Sequence, residues 1–257
     1  MRKHYLLITV LMIILAGCKS SNQNDTSPPV DDELVQLASA DYEVLLIGNS
    51  HSSNNNLPGL IERLIEQGSS GKTANVIAAP GWQFLDDRLN DPTTNAYLTG
   101  RQWTHVSLQA QKYSTTGQYW YPTTAAEEWI RRVKRQEATP IMFPEWPRRR
   151  NYEEGLRVHE LHVDIATRES ACVAPIGLAW DAFIAEHPFV TLHAADGNHS
   201  NPTGALLTAY VFYQVITNNP VNELNNTPGL GISDDLQKTL RDIAFEVVTL
   251  NPPCQYL

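Results

Sequence analysis

The sequence predicts an α/β protein in which about five parallel strands form a central sheet with helices covering both faces. Three observations predict it. Short apolar, β-rich runs alternate with amphipathic helical segments along most of the chain, as in consecutive β-α units. No internal repeat divides the sequence, and no second polar linker follows residue 40. Small polar residues and glycines gather where the apolar runs end, which is where open parallel sheets bind ligands. With 257 residues, 42% hydrophobic and 18% charged, the chain suits one globular domain.

The elements follow in order. Residues 42–47 (YEVLLI) read as a strand, and 57–67 (LPGLIERLIEQ) carry apolar residues at helical spacing. Residues 73–78 (TANVIA) and 103–108 (WTHVSL) read as strands, and 123–136 combine helical period with Ala, Glu and Arg. Residues 139–143 (TPIMF) give a strand, 152–169 a long amphipathic helix and 171–174 a brief strand. Helices over 178–187, 203–217 and 233–250 complete the chain. The loops after Ile47, Ala78, Leu108 and Phe143 then share one rim, carrying Ser50, Gly81, Gln109 with Gln111, and Glu145 with Trp146.

The first eighteen residues have a basic start, an apolar run too short to span a bilayer, and small residues before a cysteine. That is the layout of a secretory signal, and Leu15-Ala16-Gly17-Cys18 resembles the bacterial lipoprotein signal, which implies cleavage before Cys18 and lipidation of it. Expected boundaries are 1–17 for the signal, 18–40 for the lipidated cysteine and a polar tether, and 41–257 for the domain. Loss of Arg2 and Lys3 with the signal takes the formal charge from -9 to -11. The expected location is the cell envelope, with the membrane reached through the lipid. An acidic chain without a basic run also argues against nucleic-acid binding. Cys172 and Cys254 are the remaining cysteines, and an exported protein can pair them in a disulfide or keep both as buried thiols.

Ser50 lies in a run of seven small polar residues, 49–55, directly after an apolar strand. A serine alone there also suits a helix cap. As a nucleophile it needs a base within hydrogen-bond reach and a third group orienting that base. Asp196 and His199, three apart in a turn before the helix at 203–217, supply both: His199 as base, Asp196 as its orienter. Oxyanion donors are the backbone N–H of Ser50, Gly81, where no Cβ obstructs approach, and the side-chain amide of Gln109 or, less favoured, Gln111.

At these residues the chain resembles the SGNH/GDSL hydrolase superfamily. IGNSHS (47–52) is similar to its first block, Gly81 to its second-block glycine, and DGNH (196–199) to its Asp-x-x-His block. The resemblance implies a flavodoxin-like three-layer α/β/α sandwich and a carboxylic-ester hydrolase that needs no metal or other cofactor. Two departures stand out. Gly48-Asn49-Ser50 replaces the usual Gly-Asp-Ser, and a Gly-x-Asn-Asp third block is missing, so Gln109 substitutes for the oxyanion asparagine on position alone.

His51, Trp146 and Trp180 are candidate walls of a substrate cleft, the tryptophans otherwise being core aromatics. His159, His162 and Asp164 lack zinc-ligand spacing and read as a solvated helix face, and Arg148–Arg150 as a surface charge run. The expectation is a monomeric esterase acting on an O-acetyl or other short acyl group, with a carbohydrate as the favoured alcohol. The alternative is a surface lipoprotein that binds glycan or a protein partner on the same scaffold.

Overall fold

Alternate residues of the first strand are buried in opposite directions, and this fixes the layering. The computed structural model describes residues 39–257. In β1 (Tyr42–Ile47), Val44 and Leu46 enter one core while Leu45 and Ile47 enter another. A strand apolar on both sides needs helices on both sides. The first core joins α1 (Leu57–Gly68), α6 (Ile176–Glu186), α7 (Pro202–Thr217) and α8 (Asp234–Leu250). The second joins α2 (Leu85–Arg88), α3 (Pro92–Thr99), α4 (Thr124–Arg135) and part of α5 (Glu154–Arg168).

Between them lie β1, β2 (Ala74–Ala78), β3 (His105–Leu108), β4 (Thr139–Met142) and β5 (Cys172–Val173) in the spatial order β2-β1-β3-β4-β5. Every pairing is parallel. The expected flavodoxin-like three-layer sandwich with five parallel strands is therefore the observed fold. The chain leaves β1 for β2 on one side and returns to β3 on the other, so the crevice for a ligand opens beyond the carboxyl end of β1.

The sequence reading missed α2 and α3, because segments of four and eight residues are too short to show a helical period. It also misjudged α5. His162 is buried rather than solvated, since Val158, His162 and Ile165 recur at helical spacing on the face turned to the protein. The Nδ1 of His162 lies 2.7 Å from the Val158 carbonyl, and burial lowers both His159 and His162 to about 4. The expected signal, Cys18 and nearly all of the tether lie outside the described residues.

Cys172 in β5 is disulfide-bonded to Cys254, 82 positions later, and the Val173 N–H donates to the Pro253 carbonyl at 2.8 Å. The C-terminal tail is thus fastened to the edge of the sheet. Among the described residues no helix is long and apolar enough to cross a membrane.

One carboxyl group works against the fold. Asp181 on α6 is raised from 3.8 to about 7 by burial and by the neighbouring Glu154. The folded chain then holds a proton between about pH 4 and 7 that the unfolded chain has released, so stability falls as pH rises through that window. Asp181→Asn is expected to raise the melting temperature at pH 8, by an upper bound of about 4 kcal/mol in stability, and to change little at pH 4. Equal gains at both pH values in calorimetry would contradict this.

Candidate active site

The polar run after β1 is consumed in fixing one hydroxyl. Asn49 caps a single 3-10 turn over Ser50–Ser52, its Oδ1 accepting the His51 backbone N–H at 3.0 Å. The same oxygen lies 3.1 Å from the His51 Nδ1, so the Asn49 side chain braces the turn. Farther along, the Asn55 Nδ2 donates to the Ser200 carbonyl at 2.7 Å and the Asn54 Nδ2 to the same oxygen at 3.3 Å. The Ser50 loop is thereby stitched to the residue following His199.

His199 arrives from the turn before α7. The Ala194 N–H donates to the His199 carbonyl at 2.8 Å, and the Gly197 N–H to the Ala194 carbonyl at 3.1 Å, folding 194–199 into a tight loop. Ser50 Oγ lies 2.8 Å from His199 Nε2, and His199 Nδ1 lies 2.5 Å from Asp196 Oδ2. The other carboxylate oxygen of Asp196 accepts the backbone N–H groups of Asn198 and His199 at 2.9 and 3.0 Å. The His199 contact foremost, then those two amides, holds Asp196 well below the usual carboxylate range. An ionised carboxylate fixes the imidazole with Nδ1 protonated, leaving Nε2 to accept from the serine.

The segment after β4 supports this turn. Trp146 Nε1 donates to the Asn198 carbonyl at 2.8 Å, the Arg149 guanidinium to the Ala194 carbonyl at 2.5 Å, and the Arg149 N–H to the Gly197 carbonyl at 2.8 Å. Arg148 pairs with the buried Glu154 at 3.0 Å. Of the arginine run, Arg149 thus supports the His199 turn and Arg148 is held by Glu154, so it is more than a plain charge run.

Three expectations need correction. Gln109 is 0% exposed; its Oε1 accepts from the Asn49 N–H at 2.8 Å and the Ser52 hydroxyl at 3.1 Å, while its Nε2 donates to Glu145 at 2.5 Å. With its carbonyl fixed by a backbone donor, one amide hydrogen engaged by a carboxylate and no surface exposed to a ligand, it braces the loop instead. Gln111 is also turned away, donating to the carbonyls of Lys112 and Pro122. His51, Trp146 and Trp180 are not walls of an open cleft. They form a buried stack behind His199: His51 to His199 at 5.1 Å, His51 to Trp146 at 4.7 Å, and Trp146 to Trp180 at 4.6 Å. Their hydrophobic area holds the His199 ring in place from behind.

The remaining donors are backbone groups. Among the described residues the N–H groups of Ser50 and Gly81 donate to no protein acceptor. A residue the sequence reading missed lies beneath them. Arg88, 0% exposed on α2, donates to the Gly48 carbonyl at 2.5 and 3.1 Å, to Pro80 at 3.1 Å and to Gly81 at 2.8 Å. Nothing in Asp-Asp-Arg, which reads as a surface turn, signals that burial.

The fold is shared with solved structures. A protein from Slackia heliotrinireducens, proposed to be an SGNH hydrolase, is 24% identical with a TM-score of 0.54, over 68% of this chain and 98% of its own. A DUF4886 family protein from Bacteroides uniformis is 18% identical with a TM-score of 0.65, over 82% and 95%. A variant of an acetyl-xylooligosaccharide esterase from Geobacillus is 11% identical with a TM-score of 0.53, over 70% and 95%. At such identities the likeness establishes the fold. No family model and no curated protein matches the sequence.

The brace makes a test of its own. A Cβ on Gly48 would sit 2.2 Å from Ser52 Oγ and 2.3 Å from Gln109 Oε1. Gly48→Ala is therefore expected to cost about 1–3 kcal/mol in urea unfolding, and an unchanged midpoint would show that the network yields freely.

Proposed function

We propose that the chain is a serine hydrolase of carboxylic esters, with Ser50 as nucleophile, His199 as base then acid, and Asp196 orienting it. The observation that carries this reading is the continuous Ser50–His199–Asp196 contact at 2.8 and 2.5 Å. In the first half-reaction Ser50 Oγ attacks the acyl carbon while His199 Nε2 takes the hydroxyl proton. The bond to the alcohol oxygen then breaks, and the proton passes from Nε2 to that oxygen. In the second half, water loses a proton to Nε2 and attacks the acyl-serine; the carboxylic acid leaves and the proton returns to Ser50 Oγ. Because Nε2 must be unprotonated to act, kcat/KM falls as the medium is acidified.

The favoured substrate is an O-acetyl or other short acyl ester of a carbohydrate. The buried Trp146 and Trp180 do not support that choice, but other aromatics do. β1 lies between β2 and β3, and the loops leaving those two neighbours carry Trp82 and Trp120, each 77% exposed. Tyr119, Tyr121 and Phe84 accompany them. Water-exposed aromatic faces on both sides of a nucleophile suit the apolar faces of pyranose rings. The esterase acting on acetyl-xylooligosaccharides with the same fold agrees with that chemistry. The proposed setting is the cell envelope, with Cys18 lipidated and the domain tethered to the membrane.

Ser50→Ala is expected to melt like the wild type and to lose turnover of p-nitrophenyl acetate by about 10³-fold or more. The wild type is expected to prefer acetylated oligosaccharides over the aryl ester. Retained turnover in the variant would refute the nucleophile, and failure on every ester would favour a binding protein on a hydrolase scaffold. For the anchor, Cys18→Ser is expected to move the protein from the membrane fraction to the soluble envelope fraction; unchanged partition would refute lipidation.

A further inference from the structure

Arg88 is hard to account for as a stabilising group. Removing a guanidinium from water costs several kcal/mol unless it is well paired, and burial pushes Arg88 below its usual range. Among the described residues no carboxylate reaches it within ion-pair distance. The nearest acid, Asp91, is reached only through a hydroxyl: Arg88 Nη1 donates to Thr94 Oγ1 at 2.6 Å, and Thr94 Oγ1 donates to Asp91 Oδ2 at 2.5 Å. All its other contacts are backbone carbonyls, and they belong to the two loops that carry the open N–H donors.

The peptide geometry gives those contacts a direction. In a trans peptide the C=O and N–H point oppositely. With the Pro80 carbonyl turned down onto Arg88, the N–H of the same peptide, that of Gly81, points away from the guanidinium. Gly81 has φ +85, a conformation a side chain resists, which lets the next carbonyl, its own, also reach Arg88. The Gly48 carbonyl does the same for the β1 loop, sending the Asn49 N–H outward to Gln109. One planar fork therefore sets the separation of the two loops and orients a peptide in each. A cation at a carbonyl also polarises the peptide and strengthens its N–H as a donor.

We infer that Arg88 is the positioning residue of the oxyanion hole, holding the Gly81 N–H aimed and polarised beside the Ser50 N–H without touching the substrate. The inference rests on the ester-hydrolase reading above. It also explains how the site works with Gln109 and Gln111 both engaged elsewhere: the missing side-chain donor is offset by the Gly81 N–H, whose own peptide Arg88 holds from beneath, beside the Ser50 N–H. Lysine cannot substitute, because one ammonium lacks the fork that reaches three carbonyls at fixed angles.

The experiment compares wild type, Arg88→Lys and Thr94→Val on p-nitrophenyl acetate, with active sites titrated by a fluorophosphonate. Expected for Arg88→Lys is a fall of about tenfold to 10²-fold in kcat per titrated site with KM within about threefold, against 10²–10³ for losing an oxyanion donor outright. Thr94→Val, which keeps the guanidinium but frees one of its anchors, is expected to fall about threefold, and it carries the test if Arg88→Lys fails to fold. A purely structural role would lower the melting temperature and the titrated fraction while leaving kcat per site unchanged, and that result in both variants would overturn the inference alone. A wild type that neither titrates nor turns over would overturn the hydrolase reading, and this inference with it.

Discussion

A hydroxyl and an imidazole 149 positions apart in sequence stand 2.8 Å apart in space, and most of the loop structure serves that distance. Neither group sits on a rigid element. Ser50 lies in a 3-10 turn after β1, and His199 in a short loop before α7. Two flexible segments hold a hydrogen bond only if each is tied down by contacts other than that bond. The ties are the Asn54 and Asn55 side chains on Ser200, Trp146 and Arg149 on the His199 turn, and Gln109 and Arg88 beneath the Ser50 loop.

These ties are mostly buried polar groups bonded to backbone, which is the costly way to build. A buried amide or guanidinium left partly unpaired costs more than an apolar replacement would. Satisfied, such groups specify a single arrangement, because each donor direction is fixed. Gln109 shows the principle in one residue: its oxygen holds the Asn49 N–H and the Ser52 hydroxyl while its nitrogen holds Glu145. Three loops are locked by one side chain, and the aromatic stack of His51, Trp146 and Trp180 closes the far side of His199.

The strands, the long helices and the Ser50, Asp196 and His199 set were legible because each leaves a local trace: an apolar run, a helical period, or polar residues at close spacing after a strand. The pairing of Cys172 with Cys254 was half legible, since an exported chain permits it without requiring it. Burial of side chains with polar ends was not legible. Trp146, Trp180 and His51 have the composition of a cleft, and only the depth of packing makes them a backing layer. Arg88 failed to announce itself because its partners are carbonyls, which every residue has. Gln109 was correctly placed on the rim and given the wrong task, since position in sequence says nothing about which way an amide turns. His162 was misread for a different reason: the charged Glu160 and Asp164 beside it are exposed, and they hid an inward-facing position on the same helix.

The central claim is that the geometry at Ser50 makes an unusually reactive hydroxyl. Intact-mass and peptide analysis after brief exposure of the full chain to a fluorophosphonate addresses it directly. The account predicts one adduct per molecule, confined to the peptide bearing Ser50 and lost when His199 is replaced by alanine. An unmodified chain, or an adduct on another serine, would contradict it.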